Sequence, residues 1–469
     1  MLFNSLDFIV FIIVLFILYW FVFNKDLKKQ NTLILLASYF FYGWWDIRFL
    51  GLIILSTLVD FICGIKIDKA SSKNLKKKYL AISLFSNLLI LFTFKYFNFF
   101  IDSFKDVYFS ITNLTVGIQN IDIILPVGIS FYTFQTMSYS IDIYNDKLKP
   151  TKDLVSFSAF VAFFPQLVAG PIERASNLLP QLLSRRKFNY EQGFEGIRLI
   201  IWGLFKKVVV ADNLAQSVNK IFENYSDYNG GELFLGAFYF SFQIYCDFSG
   251  YSDIAIGTSK LLGVELKSNF KFPYFSKNIA EFWRRWHISL STWFRDYIYI
   301  PIGGSKVRNI VKYRNLLVIF SISGLWHGAN LTFVFWGFSH CLIYIMSEYI
   351  INNSFRFKNN LQKLFYEFTS GIITFIIIVF TWIFFRSETI FDAFSYIKFI
   401  FYKFDMPMAF RKDILVVLFF VFLEFLIRKN ERNIQFSSYK VLNTLFFFFL
   451  YLAIISQSVN QSEFIYFKF

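Results

Sequence analysis

Long apolar stretches separated by short polar connections recur along the chain from Ser5 to Gln457. A hydrocarbon core about 30 Å thick is crossed by a helix of roughly 20 apolar residues, so each long stretch predicts one membrane-crossing helix, and we expect about 11 or 12 crossings. The first stretch, Ser5 to Phe23, has no basic region before it and no small-residue cleavage site after it, which predicts a retained helix rather than a signal peptide. The pattern therefore predicts an all-α fold, a polytopic transmembrane helical bundle.

Lysine and arginine are concentrated in alternate connections, and such connections face the cytoplasm. With the N-terminus outside, the connections around Asp46 and from Ile101 to Asp122 are outside and nearly free of basic residues. The basic inside connections are Lys25 to Lys29, Lys66 to Lys78, Lys147 to Lys152, Arg185 to Lys187, Lys306 to Arg314, Arg356 to Lys363 and Arg428 to Lys440. Because the net charge of +15 is divided among these short loops, it indicates topology, and no nucleic-acid partner is predicted.

The stretch from Leu154 to Gly170 has basic connections on both sides, so it must enter and leave the membrane on one side. Pro165, Gly170 and Pro171 free backbone groups that lipid cannot satisfy, which predicts a re-entrant segment against a protein cavity. The alternative is an ordinary helix that ends at Pro171, with one crossing miscounted. The aromatic, basic region 266–313 is predicted to lie at the cytoplasmic face. Short linkers and the lack of repeats favour one membrane domain, residues 1–469.

The amino-acid composition also indicates a membrane-embedded chain. Of its 469 residues, 56% are hydrophobic, 22% aromatic and only 17% charged, which excludes an ordinary soluble domain. The three cysteines, Cys63, Cys246 and Cys341, lie far apart in apolar surroundings without a CxxC pair. Disulfide scaffolding, thiol catalysis and a metal site are therefore not predicted.

Two of the three histidines have unusual neighbours. If residues 281–291 form one helix, Trp283, Trp286 and His287 share a face by their i, i+3, i+4 spacing. Glu281 can pair with Arg285, and Arg284 and Arg285 could hold a phosphate or carboxylate ligand. The alternative is an interfacial belt, with the tryptophans at headgroup depth and the arginines on lipid phosphates.

His327 lies in Gly324 to Asn330, between two apolar stretches, where a histidine is costly unless it faces a cavity or a partner. Desolvation favours neutral imidazole, which can accept a proton from an attacking hydroxyl near pH 7. Gly324 and Gly328 are also spaced for close helix packing, so His327 could instead be hydrogen-bonded across a helix pair. His340 is a weaker candidate, more typical of a packed polar group.

Asp247 and Asp253 lie in a stretch apolar enough to cross the membrane, where acids are functional candidates. Their six-residue spacing does not place them on one helix face. The alternative is helix packing through the neighbouring small residues Ser249, Gly250 and Ser252. Glu424 can pair with Arg428 and is interpreted as structural.

Six segments in this order and spacing resemble the membrane-bound O-acyltransferase family, specifically the bacterial branch that includes the membrane component of alginate O-acetylation. They are residues 125–135, 164–172, 247–253, 281–291, 295–304 and 325–329. The resemblance implies a helical fold around a central funnel or tunnel, with a catalytic histidine at His327 and a second polar position at His287. The candidate substrate- and donor-binding residues are Arg284, Arg285, Trp283, Trp326, Asp247, Asp253 and Asn330.

The same resemblance implies an acetyl donor reached from the cytoplasm, acetyl-CoA or an acyl carrier, with no bound cofactor. It also implies a polysaccharide acceptor outside, and in relatives a separate esterase-like extracytoplasmic partner often completes the acetylation. The expected location is the inner (cytoplasmic) membrane, in contact with its lipids.

Three other functions stay open from sequence. Intramembrane charges and histidines also mark transporters, although we see no inverted repeats. A non-catalytic assembly subunit of a polysaccharide synthase is the second alternative. Within the enzyme class, transfer of D-alanine to a cell-wall polymer is the third.

Overall fold

The computed structural model describes residues 1–168, 170–352, 359–437, 439–457 and 464–465. Every regular element among them is helical, so the predicted all-α fold is confirmed. The basic residues Arg356 and Lys358 lie outside the described residues. Contacts divide the chain into two compact units, Met1–Gly193 with Thr258–Leu266, and Phe194–Gly257 with Lys267–Phe469. One acyltransferase domain over residues 1–469 stays a prediction.

The first unit is built around α3, α4 and α6, which pack against one another. A polar group lies buried between them: the carboxylate of Asp60 accepts hydrogen bonds from Ser83, from Asn87 at 2.7 Å and from Ser140 at 3.1 Å. The helices of this unit are α1 Leu6–Ile17, α2 Leu27–Gly43, α3 Leu50–Lys69, α4 Lys73–Leu91, α5 Phe97–Thr112, α6 Ile129–Tyr144, α7 Leu154–Val161, α8 Phe164–Leu167 and α9 Ala175–Leu183. Because each carboxylate oxygen of Asp60 accepts a hydrogen bond, this side chain can be buried without leaving a polar atom unpaired.

The predicted re-entrant stretch is a broken helix. α7 ends at Val161, the chain bends at Ala162 and Phe163, and α8 begins at Phe164. The carbonyl oxygen of Phe160 accepts hydrogen bonds from Gln135 at 2.6 Å and Gln166 at 3.3 Å, so protein satisfies a backbone group that the break frees. Its entry and exit on one side of the membrane stay a prediction.

The second unit holds the remaining helices. They are α10 Tyr190–Leu204, α11 Asp212–Glu223, α12 Gly230–Leu261, α13 Ile279–Arg285, α14 Ile288–Phe294, α15 Asn309–His327, α16 Leu331–Asn352, α17 Asn360–Arg386, α18 Ile390–Tyr402, α19 Asp413–Ile427 and α20 Lys440–Gln457. The first turn of α10 and the last turn of α12 belong to the first unit by their contacts. A π-helical stretch, Phe205–Ala211, joins α10 to α11, and π-helical turns are frequent at functional sites.

Five helical stretches among the described residues are long and apolar enough to cross a membrane. They are Ile47–Lys69, Lys73–Thr112, Leu331–Tyr349, Asn360–Arg386 and Lys440–Gln457. Large apolar side chains such as Phe85, Phe365 and Phe449 are exposed on them, as lipid-facing side chains are. The multi-pass helical fold is confirmed, whereas the count of about 11 or 12 crossings and the cytoplasmic position of residues 266–313 stay predictions.

Candidate active site

His327 is the last residue of α15, and the packing of α15 against α16 places it. The Cα atoms of Gly324 and Gly337 face the backbone carbonyls of Phe333 and Phe320 so closely that a Cβ on either glycine would collide with the carbonyl. Close helix packing, considered above as the alternative for this segment, is therefore present at Gly324 with Gly337 as the opposing glycine, whereas Gly328 follows the end of α15. The hairpin leaves His327 only 2% exposed.

Aromatic rings enclose His327. The ring centroids of Trp326, Trp336 and Phe385 lie 5.0, 5.2 and 5.4 Å from the His327 centroid. All three rings are buried. An aromatic enclosure of this kind excludes water, which strengthens electrostatic interactions with any group that enters it.

His287 lies in the connection between α13 and α14 and not within a helix. α13 ends at Arg285, and His287 adopts φ +42°, ψ +53° as the residue before α14. The predicted shared helix face of Trp283, Trp286 and His287 is therefore wrong, because α13 ends at Arg285, the backbone of Trp286 is extended and that of His287 is left-handed. A non-glycine residue in this conformation costs about 1–3 kcal/mol, a strain that is concentrated at functional sites.

The break turns the His287 ring toward the end of α15. The ring centroids of His287 and His327 are 6.2 Å apart, and Trp326 lies beside both, 5.8 Å from His287. His287 is completely buried, with Phe248 at 4.7 Å on its other side. The structure thus brings together the two histidines that are 40 positions apart in sequence.

Asn269 determines which nitrogen of His287 is protonated. Its Oδ1 lies 3.1 Å from His287 Nδ1 and accepts a hydrogen bond from the Ser289 hydroxyl at 2.9 Å, while its Nδ2 donates to Ser252 at 3.2 Å. With an amide oxygen facing it, Nδ1 must carry the hydrogen, so the lone pair of the neutral ring is on Nε2. Among the described residues this buried Nε2 has no hydrogen-bond partner.

Burial also keeps His287 uncharged. The residue lies outside the candidate membrane-crossing helices, and desolvation lowers its pKa to about 3. At neutral pH the imidazole is therefore a proton acceptor rather than a cation. Sequence reasoning missed Asn269, because its only signal is a polar residue in an otherwise basic and aromatic segment.

Asp247 and Asp253 are held by two consecutive lysines that sequence reasoning missed. Lys207 Nζ lies 2.7 Å from Asp247 and 2.9 Å from Asp212, and Lys206 forms an ion pair with Asp253. These lysines lie in the π-helical stretch between α10 and α11. Asp247 and Asp253 are therefore held in ion pairs, and neither carboxylate lies on an open face of α12.

Two glycine contacts bring these charges together. Gly203 and Gly250 face each other's carbonyl groups, and Gly257 faces the carbonyl of Gly196. A Cβ on Gly250 would lie 2.7 Å from the Gly203 oxygen, so α10 and α12 approach as antiparallel neighbours along a glycine seam. The small residues predicted as helix-packing positions thus include Gly250, while the acids beside it form ion pairs.

Glu424 has a different partner from the one predicted. Its carboxylate accepts a hydrogen bond from the Tyr245 hydroxyl. The Arg428 guanidinium instead lies over the Phe425 ring, 4.0 Å from its centroid. The predicted Glu424–Arg428 pair is wrong, because Glu424 on α19 bonds to Tyr245 and Arg428, just after α19, packs on Phe425.

The tryptophans of the His287 segment are packed inside the protein. Trp286 is fully buried with its ring centroid 5.0 Å from that of Trp382, and Trp283 lies 5.1 Å from His340 and 5.8 Å from Trp336. The interfacial-belt alternative is therefore wrong for Trp286. His340 is buried in this aromatic cluster.

The two candidate arginines differ. Arg285 donates to Glu281 at 2.5 Å, as predicted from their spacing, whereas Arg284 is exposed. Lys306 and Arg308 are also exposed. Asn330 caps the α15–α16 connection: its Oδ1 accepts from the Thr332 N–H at 3.0 Å, and its Nδ2 donates to the Glu388 carbonyl at 2.9 Å.

Within the described part of the chain, histidine, cysteine and acidic side chains form no group of three that could hold a metal ion. The cysteines Cys63, Cys246 and Cys341 are buried free thiols.

Comparison with known proteins identifies the family of this site. Residues 40–387 match the model of the membrane-bound O-acyltransferase family. The chain belongs to that family. As a member it is an O-acyltransferase and a multi-pass membrane protein, so the predicted family and enzyme class are confirmed. His287 and His327 lie within the matched residues.

Several bacterial acyltransferases are similar over most of the chain. A probable alginate O-acetylase of Pseudomonas syringae pv. tomato is 38% identical over 77% of this chain and 68% of its own length. A probable alginate O-acetylase of Azotobacter vinelandii is 43% identical over 67% of this chain and 62% of its own length. A peptidoglycan O-acetyltransferase of Helicobacter pylori is 34% identical over 78% of this chain and 72% of its own length.

Proposed function

We propose that this O-acyltransferase moves an acetyl group from a cytoplasmic thioester donor, across the membrane, for O-acetylation of an extracytoplasmic polysaccharide such as an alginate-like exopolysaccharide or a cell-wall glycan. The observation that carries the proposal is the pair of buried imidazoles, His287 and His327, 6.2 Å apart in an aromatic enclosure. The two rings are close enough that an acceptor hydroxyl hydrogen-bonded, at about 2.8 Å, to a ring nitrogen of one histidine would lie beside the other. Similarity to relatives named for polymer O-acetylation supports the acetyl group and the acceptor class.

In the proposed reaction an acceptor hydroxyl enters the enclosure and its oxygen attacks the acetyl carbonyl carbon. The hydroxyl proton passes to His327 as the new C–O bond forms. The C–S bond of the thioester breaks, and the departing thiolate takes up the proton. The lone pair on His287 Nε2 lies in the same dry enclosure, where it can accept a hydrogen bond from His327 once His327 is protonated and so stabilises the imidazolium that forms during the attack.

Changing the histidines tests this mechanism. His327→Ala should lower acetyl transfer by about 10²-fold or more, as expected for loss of a general base. His287→Asn keeps a donor toward Asn269 but lacks Nε2, so it should lower the rate while the protein accumulates normally. Ser321→Ala, on the same helix α15, is the matched control and should retain wild-type transfer. Near-normal polymer acetylation by His327→Ala at normal abundance would overturn the catalytic assignment.

The donor is proposed to be acetyl-CoA or an acyl carrier, delivered to the exposed basic side chains Arg284, Lys306 and Arg308. Reversing these three charges to glutamate should raise the donor KM. The control reverses Lys73, Lys77 and Lys78, which are exposed and predicted to lie on the same side of the membrane. An unchanged donor KM in the first variant would remove the role of this cluster. Labelled acetyl and D-alanyl donors compared side by side distinguish acetyl transfer from the D-alanyl alternative.

Direction and partner are tested in sealed vesicles with labelled donor inside and polymer outside. We propose an inner-membrane location and an esterase-like extracytoplasmic partner that holds the polymer, because the predicted outer connections, such as residues 101–122, are short. Label should reach the outer polymer when the partner is added. Efficient polymer acetylation without a partner would overturn the partner requirement, and label on inner acceptors alone would overturn the direction.

A further inference from the structure

A mixed polar and aromatic cavity lies in the second unit, close to the connection that follows His327. Its volume is about 150 Å³. The side chains that give it chemical character are Phe222, Glu223, Tyr225, Arg386, Asp392 and Tyr396. A typical small-molecule site exceeds about 300 Å³, so this cavity takes a single ring or terminal group rather than a large ligand.

The cavity is tied to the catalytic histidine through the chain itself. Arg386 follows Phe385, whose ring centroid lies 5.4 Å from that of His327. The carbonyl of Glu388, which also lines the cavity, accepts the hydrogen bond from Asn330. An occupant would therefore be held against the same segment that forms part of the His327 enclosure.

Hydrogen-bond donors and hydrogen-bond acceptors both line the cavity. The Arg386 guanidinium donates to Asn219 at 3.1 Å, its one hydrogen bond among the described residues, and lies 5.5 Å from the Phe222 centroid. Asp392 accepts hydrogen bonds from the Tyr225 hydroxyl at 3.1 Å and from Thr389 at 2.6 Å. A guanidinium has five N–H donors, so most of them stay open to an occupant.

Aromatic rings line the cavity beside its charged groups, and the balance of charge favours an uncharged occupant. Phe222 and Tyr396 are parallel with centroids 4.5 Å apart, and Tyr225 lies 5.9 Å from Tyr396. The electron-rich faces of such rings attract C–H groups. The carboxylates of Glu223, Glu388 and Asp392 outnumber the one guanidinium, so the lining repels an anion.

We propose that this cavity is an acceptor subsite that binds one uncharged sugar residue of the glycan, with its hydroxyls on Arg386 and the carboxylates and its C–H face on the aromatic rings. The inference rests on the proposed function and narrows its acceptor class to glycans with uncharged sugar residues, which excludes an anionic alginate-like polymer. The alternation of basic connections places residues 220–231 outside, and α17 runs from the basic, predicted inside connection to Arg386. The cavity is thus on the side where the acceptor is expected.

Protection of an introduced cysteine tests the binding directly, in the full chain in vesicles. The natural cysteines are buried free thiols, so a membrane-impermeant maleimide should label Ser387→Cys at the cavity wall above a low background. Cellotetraose, an uncharged probe, should slow this labelling by about fivefold at concentrations several times its Kd. A tetramer of mannuronate, an anionic probe, should not.

Two matched carboxylate variants test whether the protection of the Ser387→Cys thiol by cellotetraose arises from binding in this cavity. Glu223→Gln, in the Ser387→Cys background, should remove most of it, because a hydrogen bond to a charged group is lost. Asp227→Asn changes an exposed acid four residues after Glu223 that does not line the cavity, and it should keep the protection. In transfer assays Glu223→Gln should raise the acceptor KM by about tenfold with the donor KM unchanged.

The outcomes separate this inference from the proposed function. His327→Ala combined with Ser387→Cys should lose transfer but keep protection by cellotetraose. Unchanged labelling with both probes, or protection by mannuronate alone, overturns the uncharged-sugar subsite. Protection by the partner protein but by neither oligosaccharide also overturns it. If the introduced thiol does not react with the maleimide, an acceptor KM unaffected by Glu223→Gln contradicts the proposal.

Discussion

Nδ1 of His287 lies 3.1 Å from Oδ1 of Asn269, and this contact leaves Nε2 as the nitrogen that can accept a proton. We predict that Asn269→Ala lowers kcat by about 10-fold or more, since loss of the partner that orients a functional histidine typically has an effect of that size. Asn269→Asp retains an acceptor for Nδ1–H and should keep most of the activity. Initial rates in vesicles, at matched protein abundance, provide the measurement. Wild-type kcat in Asn269→Ala would show that the contact has no role.

The pKa of His287 predicts how stability depends on pH. The folded protein keeps this imidazole neutral down to a pKa of about 3, whereas an unfolded histidine protonates near pH 6.5. The stability that the protein gains from keeping His287 neutral is therefore fully present above pH 6.5. The free energy of unfolding decreases as the pH falls below that value, and at pH 5 the loss is about 2 kcal/mol. His327, 6.2 Å away, is the neighbouring titratable ring.

The difference in Tm between the wild type and His287→Asn, measured from pH 8 to pH 5 in detergent, tests this dependence. The wild type should lose more stability on acidification than the variant does. Parallel curves for the two proteins would contradict a depressed pKa at His287.

Buried ion pairs predict a strong effect of removing one partner. Lys207→Met leaves the carboxylates of Asp247 and Asp212 without their shared cation, which should destabilise the protein by about 3–5 kcal/mol. The triple variant Lys207→Met, Asp247→Asn, Asp212→Asn removes the uncompensated charge and should regain part of the loss. Thermal unfolding in detergent measures both. A wild-type Tm for Lys207→Met alone would show that the pairs are not important for stability.

The glycine seam predicts opposite outcomes for two Gly→Ala changes. Gly250→Ala places a Cβ 2.7 Å from the Gly203 oxygen, so α10 and α12 must separate and the Tm should fall. Gly51→Ala, on α3, meets nothing within 4 Å and should raise stability by up to about 1 kcal/mol through helix propensity. Equal Tm changes for the two variants would contradict the close approach.

The alternation of basic connections predicts the sidedness of three sites. Tags at Lys73 and Lys363 should both report the cytoplasm, and a tag at Asp106 should report the outside. Accessibility to an impermeant reagent in intact cells, compared with opened cells, gives the result. Opposite sides for Lys73 and Lys363 would require a different number of crossings between them.

The sequence by itself determined the class of this protein and singled out His327 and His287 as its candidate catalytic residues. Apolar stretches of membrane-crossing length indicate that the chain is embedded in a lipid bilayer. The hydrocarbon core accommodates only segments whose backbone N–H and C=O groups are hydrogen-bonded within the protein. The His327 segment and the close packing around Gly324 were also visible in the sequence, since both depend on neighbouring residues.

Only the tertiary structure decided which distant residues meet. Helical spacing predicted one face for Trp283 and His287, but the left-handed backbone at His287 turns its ring to His327 and its Nδ1 to Asn269. The glycine seam likewise brings Lys206 and Lys207 to acids on α12. Local periodicity fixes neighbours three or four residues apart, whereas contacts between helices depend on how closely their backbones approach.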